Sequence, residues 1–422
     1  MEMSLRHKRA LWAGVASVAL IATAGTASAG GFAVREQSAS LMGSAFAGAA
    51  AGVDLSSGFW NPAAFGIAEN GLSTQSAYSV IFADTEISNA STSFGGAPFP
   101  VGGINETEID KIGVLSSTYG AYRLNEKTVL GVSVSAPFGL ATQADDWNWA
   151  GRLHGRAAEM LTLNVAPSVT YEVAPGIHVA AGLQLEYMKL KIWTAAPVIG
   201  APNLSVKADD TIGVGYTAGI LIKPGNGSSI GLGFRSKIEH DLEGDFNTPL
   251  GALPANADLE TPEIVTLSFV QALTDQFRAL GTVEWTNWSR IGNVPVNGVP
   301  GAIPGNTAIL EANWHDGWFI SGGMEYDYSP IVTLRGGVAW EKSPIQDPTE
   351  RLTVLPDSDR IWLSVGATYK YSESTTLDFS FAHVFFDDSH MTRDTLNQSG
   401  LILDADVENS ANIISVGMRH RW

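Results

Sequence analysis

No catalytic arrangement emerges from the residues that could do chemistry. Acyl transfer needs a nucleophile, a base and an orienting acid held together. His-Glu-x-x-His does not occur in the chain, and the single Gly-x-Ser-x-Gly match, Gly227-Ser228-Ser229-Ile230-Gly231, opens an alternating strand segment rather than a strand-to-helix elbow. An outer-membrane lipase or similar enzyme is therefore not expected. The eight histidines include no pair at close helical or strand spacing; His383 and His390 stand apart, and His420 lies near the end. No metal site and no cofactor are therefore expected. The chain has no cysteine and hence no disulfide framework. What remains is binding chemistry. Arg235, Arg335 and Arg360 fall on the small, polar side of alternating apolar segments. A guanidinium there faces either a solute or a wall acid such as Glu341. The formal charge of −18 argues against nucleic acid, whose phosphates need clustered Lys and Arg.

The elements that must position these residues are read from two-residue periodicity. Ile212, Val214, Tyr216, Ala218, Ile220 and Ile222 form one unbroken apolar face, with Gly213, Gly215, Thr217 and Gly219 opposite. Ile230–Arg235, Arg360–Tyr371 and Leu377–Ala382 repeat the pattern, and the chain closes on Ile414, Val416, Met418 and Trp422 at one parity. The longer segments match tilted membrane strands of roughly 9–11 residues. Small residues opposite imply a lumen. Fourteen strands are expected, starting near residues 72, 106, 128, 159, 177, 208, 228, 259, 277, 309, 331, 359, 375 and 408. Short turns such as Pro175-Gly176, Ser329-Pro330 and Ser372-Glu373-Ser374 alternate with long loops near 89–105, 139–158, 194–207, 247–258, 291–308, 344–358 and 390–407. The fold class is thus all-β: a 14-stranded antiparallel transmembrane β-barrel over 71–422. Both chain ends then lie in the periplasm. Trp285, Trp288, Trp314, Trp318 and Trp340 fall near strand ends, as an interfacial girdle or as buried core.

Arg6, Lys8 and Arg9 precede an apolar run from Ala10 to Ala24, followed by Ala27-Ser28-Ala29. That is the pattern of a cleaved secretory signal over 1–29, with Gly30 as the mature first residue. The later chain offers no apolar run of roughly 18 residues. Export without such a run, together with the strands, points to the outer membrane of a Gram-negative bacterium. Membrane lipid, lipopolysaccharide and the barrel-assembly machinery, which reads terminal strands of this kind, are the expected partners.

Residues 30–70 break the strand pattern. They are too polar and glycine-rich for lipid, and long enough to fold inside a barrel as an N-terminal hatch. A barrel of this strand number otherwise leaves an open pore. Gly31-Phe32 with Glu36-Gln37-Ser38, Gly43 with Ala45-Phe46-Ala47-Gly48, and Asn61-Pro62-Ala63 together resemble the hatch of the FadL-type long-chain fatty-acid transporters, a family that includes toluene and xylene channels. Ala136-Pro137-Phe138-Gly139-Leu140, Leu334-Arg335-Gly336-Gly337-Val338-Ala339 and Pro356-Asp357-Ser358-Asp359-Arg360-Ile361-Trp362 extend the resemblance across the chain.

The resemblance implies a plugged barrel that passes hydrophobic small molecules across the outer membrane without ATP. Solute is caught by outer loops, held above the hatch, and released through the wall beside an inward kink in the third strand. Phe32, Phe59, Trp60, Phe138, Trp193, Arg235, Arg335 and Arg360 are then expected to line the ligand path. Asn61, Pro62, Ala63, Pro137 and Gly139 are the expected hatch and gate residues. Pro137 cannot donate to a ladder, and Gly139 permits unusual backbone angles; alternatively, Pro137 simply ends the strand. Asn61-Pro62-Ala63 also reads as a turn holding the hatch to the wall.

Two departures bear on cargo. The family's carriers place basic residues where this chain reads Ile192-Trp193-Thr194 and Ala308-Ile309-Leu310. Lys189 and Lys191 are nearby but share the outward parity of Leu183 and Leu185, towards lipopolysaccharide phosphates. The loop at 194–207 is also short. Both raise neutral solutes, aromatic hydrocarbons or alkanes, against long-chain fatty acids. A hatchless porin is opposed by residues 30–70, and a structural or adhesive barrel is the remaining competitor.

Overall fold

In lipid every backbone N–H and C=O must pair internally, so an alternating sheet has to close on itself. The computed structural model shows that closure. It describes residues 30–99, 101–109, 112–196, 203–210, 212–299, 306–394 and 400–422; the expected signal segment lies outside them. Fourteen antiparallel strands run in chain order. They are β1 (Gly71–Phe94), β2 (Ile112–Arg123), β3 (Thr128–Ser135, resuming over Gly139–Gln143), β4 (Ala157–Ala174) and β5 (Ile177–Thr194). Next come β6 (Leu204–Asp209 and Gly213–Gly225), β7 (Ser228–Arg235 and Ile238–Thr248), β8 (Gly251–Thr261 and Ile264–Ala272) and β9 (Phe277–Thr286). The wall ends with β10 (Gly317–Ser329), β11 (Val332–Lys342), β12 (Arg360–Lys370), β13 (Thr375–Phe386) and β14 (Leu401–Arg421). The ladder between β1 and β14, from Ser73↔Arg421 to Phe94↔Leu401, closes the cylinder.

Alternation decides the faces. Val365 is 56 % exposed on the lipid side and Ser364 beside it only 2 %. The terminal strand obeys the same rule, with Ile414 at 49 % and Ile413 at 0 %. The short turns fall between β2 and β3, β4 and β5, and onward to β12 and β13, at the end that holds the C-terminus.

All the expected loops except 344–358 are partly strand. The 247–258 stretch is a hairpin pairing Ile238–Thr248 with Gly251–Thr261, β1 runs on to Phe94, and Asn293–Asn297 pairs with Thr307–Glu311. Loop composition concealed them because these edges pair outside the membrane and have no lipid face to mark them. Strands β6, β7 and β8 each break and then continue as this outer leaf.

Residues 30–70 occupy the lumen. Ala45, Phe46, Ala47, Ala49, Ala50 and Ala51 are all 0 % exposed. The segment holds a four-residue helix, Ala39–Met42, capped by Ser38, and 3-10 turns at Leu55–Phe59 and Pro62–Ile67. The wall glycines meet it directly. A Cβ on Gly231 would stand 1.8 Å from the Ala50 carbonyl oxygen, and one on Gly337 2.1 Å from that of Ser44. Glycine is used here for close backbone approach. The glycine face thus meets hatch backbone rather than an empty lumen.

Candidate functional site

The third strand stops at Ser135 and resumes at Gly139. Its ladder to β2 runs from Arg123↔Val129 to Thr118↔Val134. Beyond that, among the described residues, β2 and β3 meet again only at the bridge Ile109↔Ala144. On the other side β3 stays paired to β4, as in Gly139↔Leu161. Among the described residues, Ile112–Ser117 makes strand pairs with β1 and none with β3, leaving a gap in the wall ladder beside the kink.

The hatch's leading segment takes over the missing bonds. Val34 N donates to Pro137 O at 2.8 Å, and Gly139 N to Phe32 O at 2.9 Å. Gln37 Nε2 donates to Ala136 O at 2.7 Å. Thr162 on β4 accepts from Phe138 N at 3.0 Å and donates to Phe138 O at 2.6 Å. Gly139 does not take a left-handed backbone; its part is the one bond its N–H donates to Phe32 O, which corrects the expectation of unusual angles. Thr162→Val leaves the buried Phe138 N–H unpaired and should cost about 1–3 kcal/mol. Thermal unfolding in detergent checks this, with faster amide exchange confined to the kink.

Behind the kink lies an aromatic chamber. The Phe32 ring packs on Phe138, Trp288 and Trp314, with centroids at 5.7, 4.8 and 5.6 Å. Met160 and Met188 complete the wall, and Leu242 and Leu259 of the outer leaf roof it. Each of the four aromatic residues is at most 5 % exposed. Among the described residues the indole Nε1 of Trp314 has no hydrogen-bond partner. A cavity of about 30 Å³ beside the chamber is bordered by Phe59, Trp60, Pro137 and Trp288. It holds about one water, and Arg35, Glu284 and Glu341 also border it.

The remaining sequence candidates scatter. Phe59 and Trp60 pack edge to face at 4.9 Å within the hatch. Arg235 lies over the Phe59 ring at 4.5 Å and donates to Phe59 O at 3.1 Å, so it holds the hatch. Arg335 pairs with Glu325 at 2.6 Å. Arg360 pairs with Asp357 and, at 3.8 Å, with Glu341. Arg335 and Arg360 pair with wall and loop acids, whereas Arg235 holds hatch backbone and ring rather than an acid. Trp193 is a correction: it shares the outward face of Lys189 and Lys191, with the Lys191 ammonium 5.9 Å from its ring. Ile192, of inward parity, packs against the chamber instead.

Asn61 caps the Pro62–Ile67 turn by accepting from Ala63 N at 3.0 Å, and donates to Ala50 O and Ile220 O. Thr170 donates to Pro62 O at 2.9 Å. The motif is both a turn and a tie to the wall. Trp288 and Trp314 correct the girdle expectation, being 2 % and 4 % exposed inside the barrel, whereas Trp318 and Trp340 face outward at 43 % and 40 %. The first two lie outside the strands, where parity carries no information. Thr162 was missed, since an inward polar residue of a lumen strand looks like any other, and Gln37 was read only as part of the hatch motif. In the hatch, burial pushes the Glu36 carboxyl up to about 7.

These features define a class: a closed outer-membrane β-barrel stoppered by its own N-terminal segment, with an apolar aromatic chamber at a break in its wall. The sequence profile of the family described as "Outer membrane protein transport protein (OMPP1/FadL/TodX)" matches residues 19–422. The chain belongs to that family and is an outer-membrane transport protein. It is similar to a 47 kDa outer membrane protein of Pasteurella multocida, 26 % identical over 96 % of this chain and 97 % of the relative. It also resembles a long-chain fatty acid transport protein of Escherichia coli O6:H1, 26 % identical over 62 % of this chain and 67 % of the relative. A solved Pseudomonas aeruginosa FadL homologue superposes with a TM-score of 0.83 at 20 % identity, covering 92 % of this chain and 99 % of its own. The Ralstonia pickettii toluene transporter TbuX superposes at 0.64 and 15 % identity, covering 92 % and 100 %.

Proposed function

We propose that this transporter is a passive uptake channel for hydrophobic molecules, with neutral aromatic or aliphatic solutes favoured over fatty acids. The aromatic chamber carries this reading. It offers ring faces and one unpaired indole N–H, while the three arginines expected in the lumen are engaged elsewhere. A carboxylate brought here would lose its hydration without a counter-ion. The relatives named for fatty acid and for toluene fit the broader class; the engaged arginines favour the neutral side.

Solute enters beneath the outer leaf, displaces Phe32 and leaves sideways through the gap beside β3. Moving Phe32 pulls on the Phe32 O to Gly139 N bond, which links occupancy of the chamber to the gap. A small aromatic burying on the order of 150 Å² gains roughly 4 kcal/mol. That corresponds to about millimolar binding, weak enough for release. Residues 30–70 act as hatch, 71–422 as barrel and 1–29 as a cleaved signal. The outward Lys189 and Lys191 meet lipopolysaccharide, the terminal strand is the segment read by the assembly machinery, and no step requires catalysis.

Uptake of labelled toluene, an alkane and oleate by a strain lacking and then regaining the protein tests the reading. Toluene should quench tryptophan fluorescence of the purified barrel with a midpoint of about 1 mM, and Trp314→Ala should weaken this about tenfold or more. Oleate uptake exceeding that of both neutral solutes would refute the cargo assignment.

A further inference from the structure

The first residue of the expected mature chain is buried against acid. Gly30 N donates to Glu341 Oε1 at 3.0 Å, and Gly31 N to Asp357 Oδ2 at 2.9 Å. Around these two amides the lumen is built of charges. Arg35 pairs with Glu284 at 2.8 Å and Glu341 at 3.4 Å, while Arg360 reaches Asp357 and, at 3.8 Å, Glu341. The five side chains are between 0 and 7 % exposed. Ser343 Oγ also donates to Asp357 at 2.6 Å, and Trp362 Nε1 to Glu341 at 2.9 Å.

Three carboxylates, Glu284, Glu341 and Asp357, thus share three guanidinium groups, the third being Arg351, whose Nε donates to the Asp357 carbonyl oxygen at 2.9 Å. The buried Glu36 beside them adds a fourth carboxyl. A buried charge without a partner is heavily penalised. The sequence just before this point reads Ala27-Ser28-Ala29 after a basic and apolar leader, the pattern that a signal peptidase cuts.

We propose that cleavage between Ala29 and Gly30 creates a further cation beside Glu341, and that the new α-ammonium locks the leading end of the hatch onto that carboxylate. Water adds across the Ala29–Gly30 amide: Ala29 leaves as a carboxylate, and the Gly30 amine takes up a proton at neutral pH. An amide nitrogen with one N–H becomes an ammonium with three, beside the carboxylate it already touches. Space admits little more. A Cβ on residue 30 would stand 3.3 Å from Glu341 Oε1 and 3.5 Å from Pro344 Cδ. The next residue bears on the chamber, since a Cβ on Gly31 would touch both Trp288 and Trp314 at 3.2 Å. The anchor therefore sits two residues ahead of Phe32, the ring that fills the chamber. Hatch seating becomes contingent on export and maturation, whatever the cargo.

Two measurements test this without using transport. In the folded mature protein the Gly30 α-amine should react with an acylating N-hydroxysuccinimide ester at least about tenfold more slowly than after unfolding, read by mass spectrometry of the N-terminal peptide. A variant carrying two extra residues between the cleavage site and Gly30 should speed amide exchange of residues 31–38 about tenfold. Glu341→Gln should have the same effect, and combining the two should add nothing further. An α-amine that labels freely in the fold would overturn the proposal. So would an extended chain that exchanges like the native one, or a mature protein that starts at another residue. If Glu341→Gln does not fold, the labelling rate and the extended chain still decide. Failure of the cargo assignment would leave these readouts untouched.

Discussion

Deleting residues 30–70 raises the ion conductance of the purified barrel in a planar bilayer by at least about tenfold. Eight strands leave an interior that side chains fill, whereas sixteen to eighteen leave an aqueous channel. With fourteen, the inner wall here mixes glycine, serine and threonine with larger residues such as Tyr119, Phe319 and Trp362 that pack on the hatch. The hatch supplies the filling, with Leu41, Met42, Phe46 and Trp60 at 2 % exposure or less. The wall ladders close between β14 and β1 without it, so the cylinder should still assemble. The kink at 136–139 loses backbone partners, and the carbonyls of Gly281 and Ile220 lose hatch donors. A deleted barrel that stays electrically silent at full insertion would disprove the plug.

Gly233→Leu unseats the same plug from the wall side. A Cβ at residue 233 would stand 1.8 Å from the Trp60 carbonyl oxygen and 3.0 Å from Asn61 Cα. The obstacles are backbone atoms held by the Asn61 cap and the Thr170 bond, so they cannot rotate away as a side chain would. Overpacking of cores costs about 1–3 kcal/mol where neighbours adjust; here the hatch itself must move, and the cost should reach the upper end or more. The expected result is a fall in thermal midpoint together with conductance approaching that of the deletion. Gly322→Leu is the control, because nothing lies within 4 Å of a Cβ there. If Gly233→Leu behaves like Gly322→Leu, the hatch does not sit on this wall as described.

Much of the cylinder was readable from residue order alone. In a membrane strand one parity touches lipid and the other the interior, and that is a local property. Ile212–Ile222 and Ile413–Trp422 carry it in the open, which sufficed for strand number, face and turn side. The hatch was legible for the opposite reason: small polar residues in a stretch with no lipid-facing parity. Outside the regular strands the reading weakened. The breaks in β6, β7 and β8 depend on how neighbours pair above the membrane, and nothing within one strand records that.

The site belongs mostly to the tertiary structure. Trp288 and Trp314 look like girdle tryptophans until the links that carry them fold inward over Phe32. Trp193 obeys outward parity that its resemblance-based role ignored. Arg35 meets Glu284 and Glu341, 249 and 306 residues further along the chain. Composition and periodicity determine that this protein is an oily-sided cylinder with a small-residue insert, because alternation is written residue by residue. Which charges the insert meets, which rings enclose the solute, and where the wall lacks a ladder are decided only once distant strands come into register, because those energies belong to pairs and not to positions.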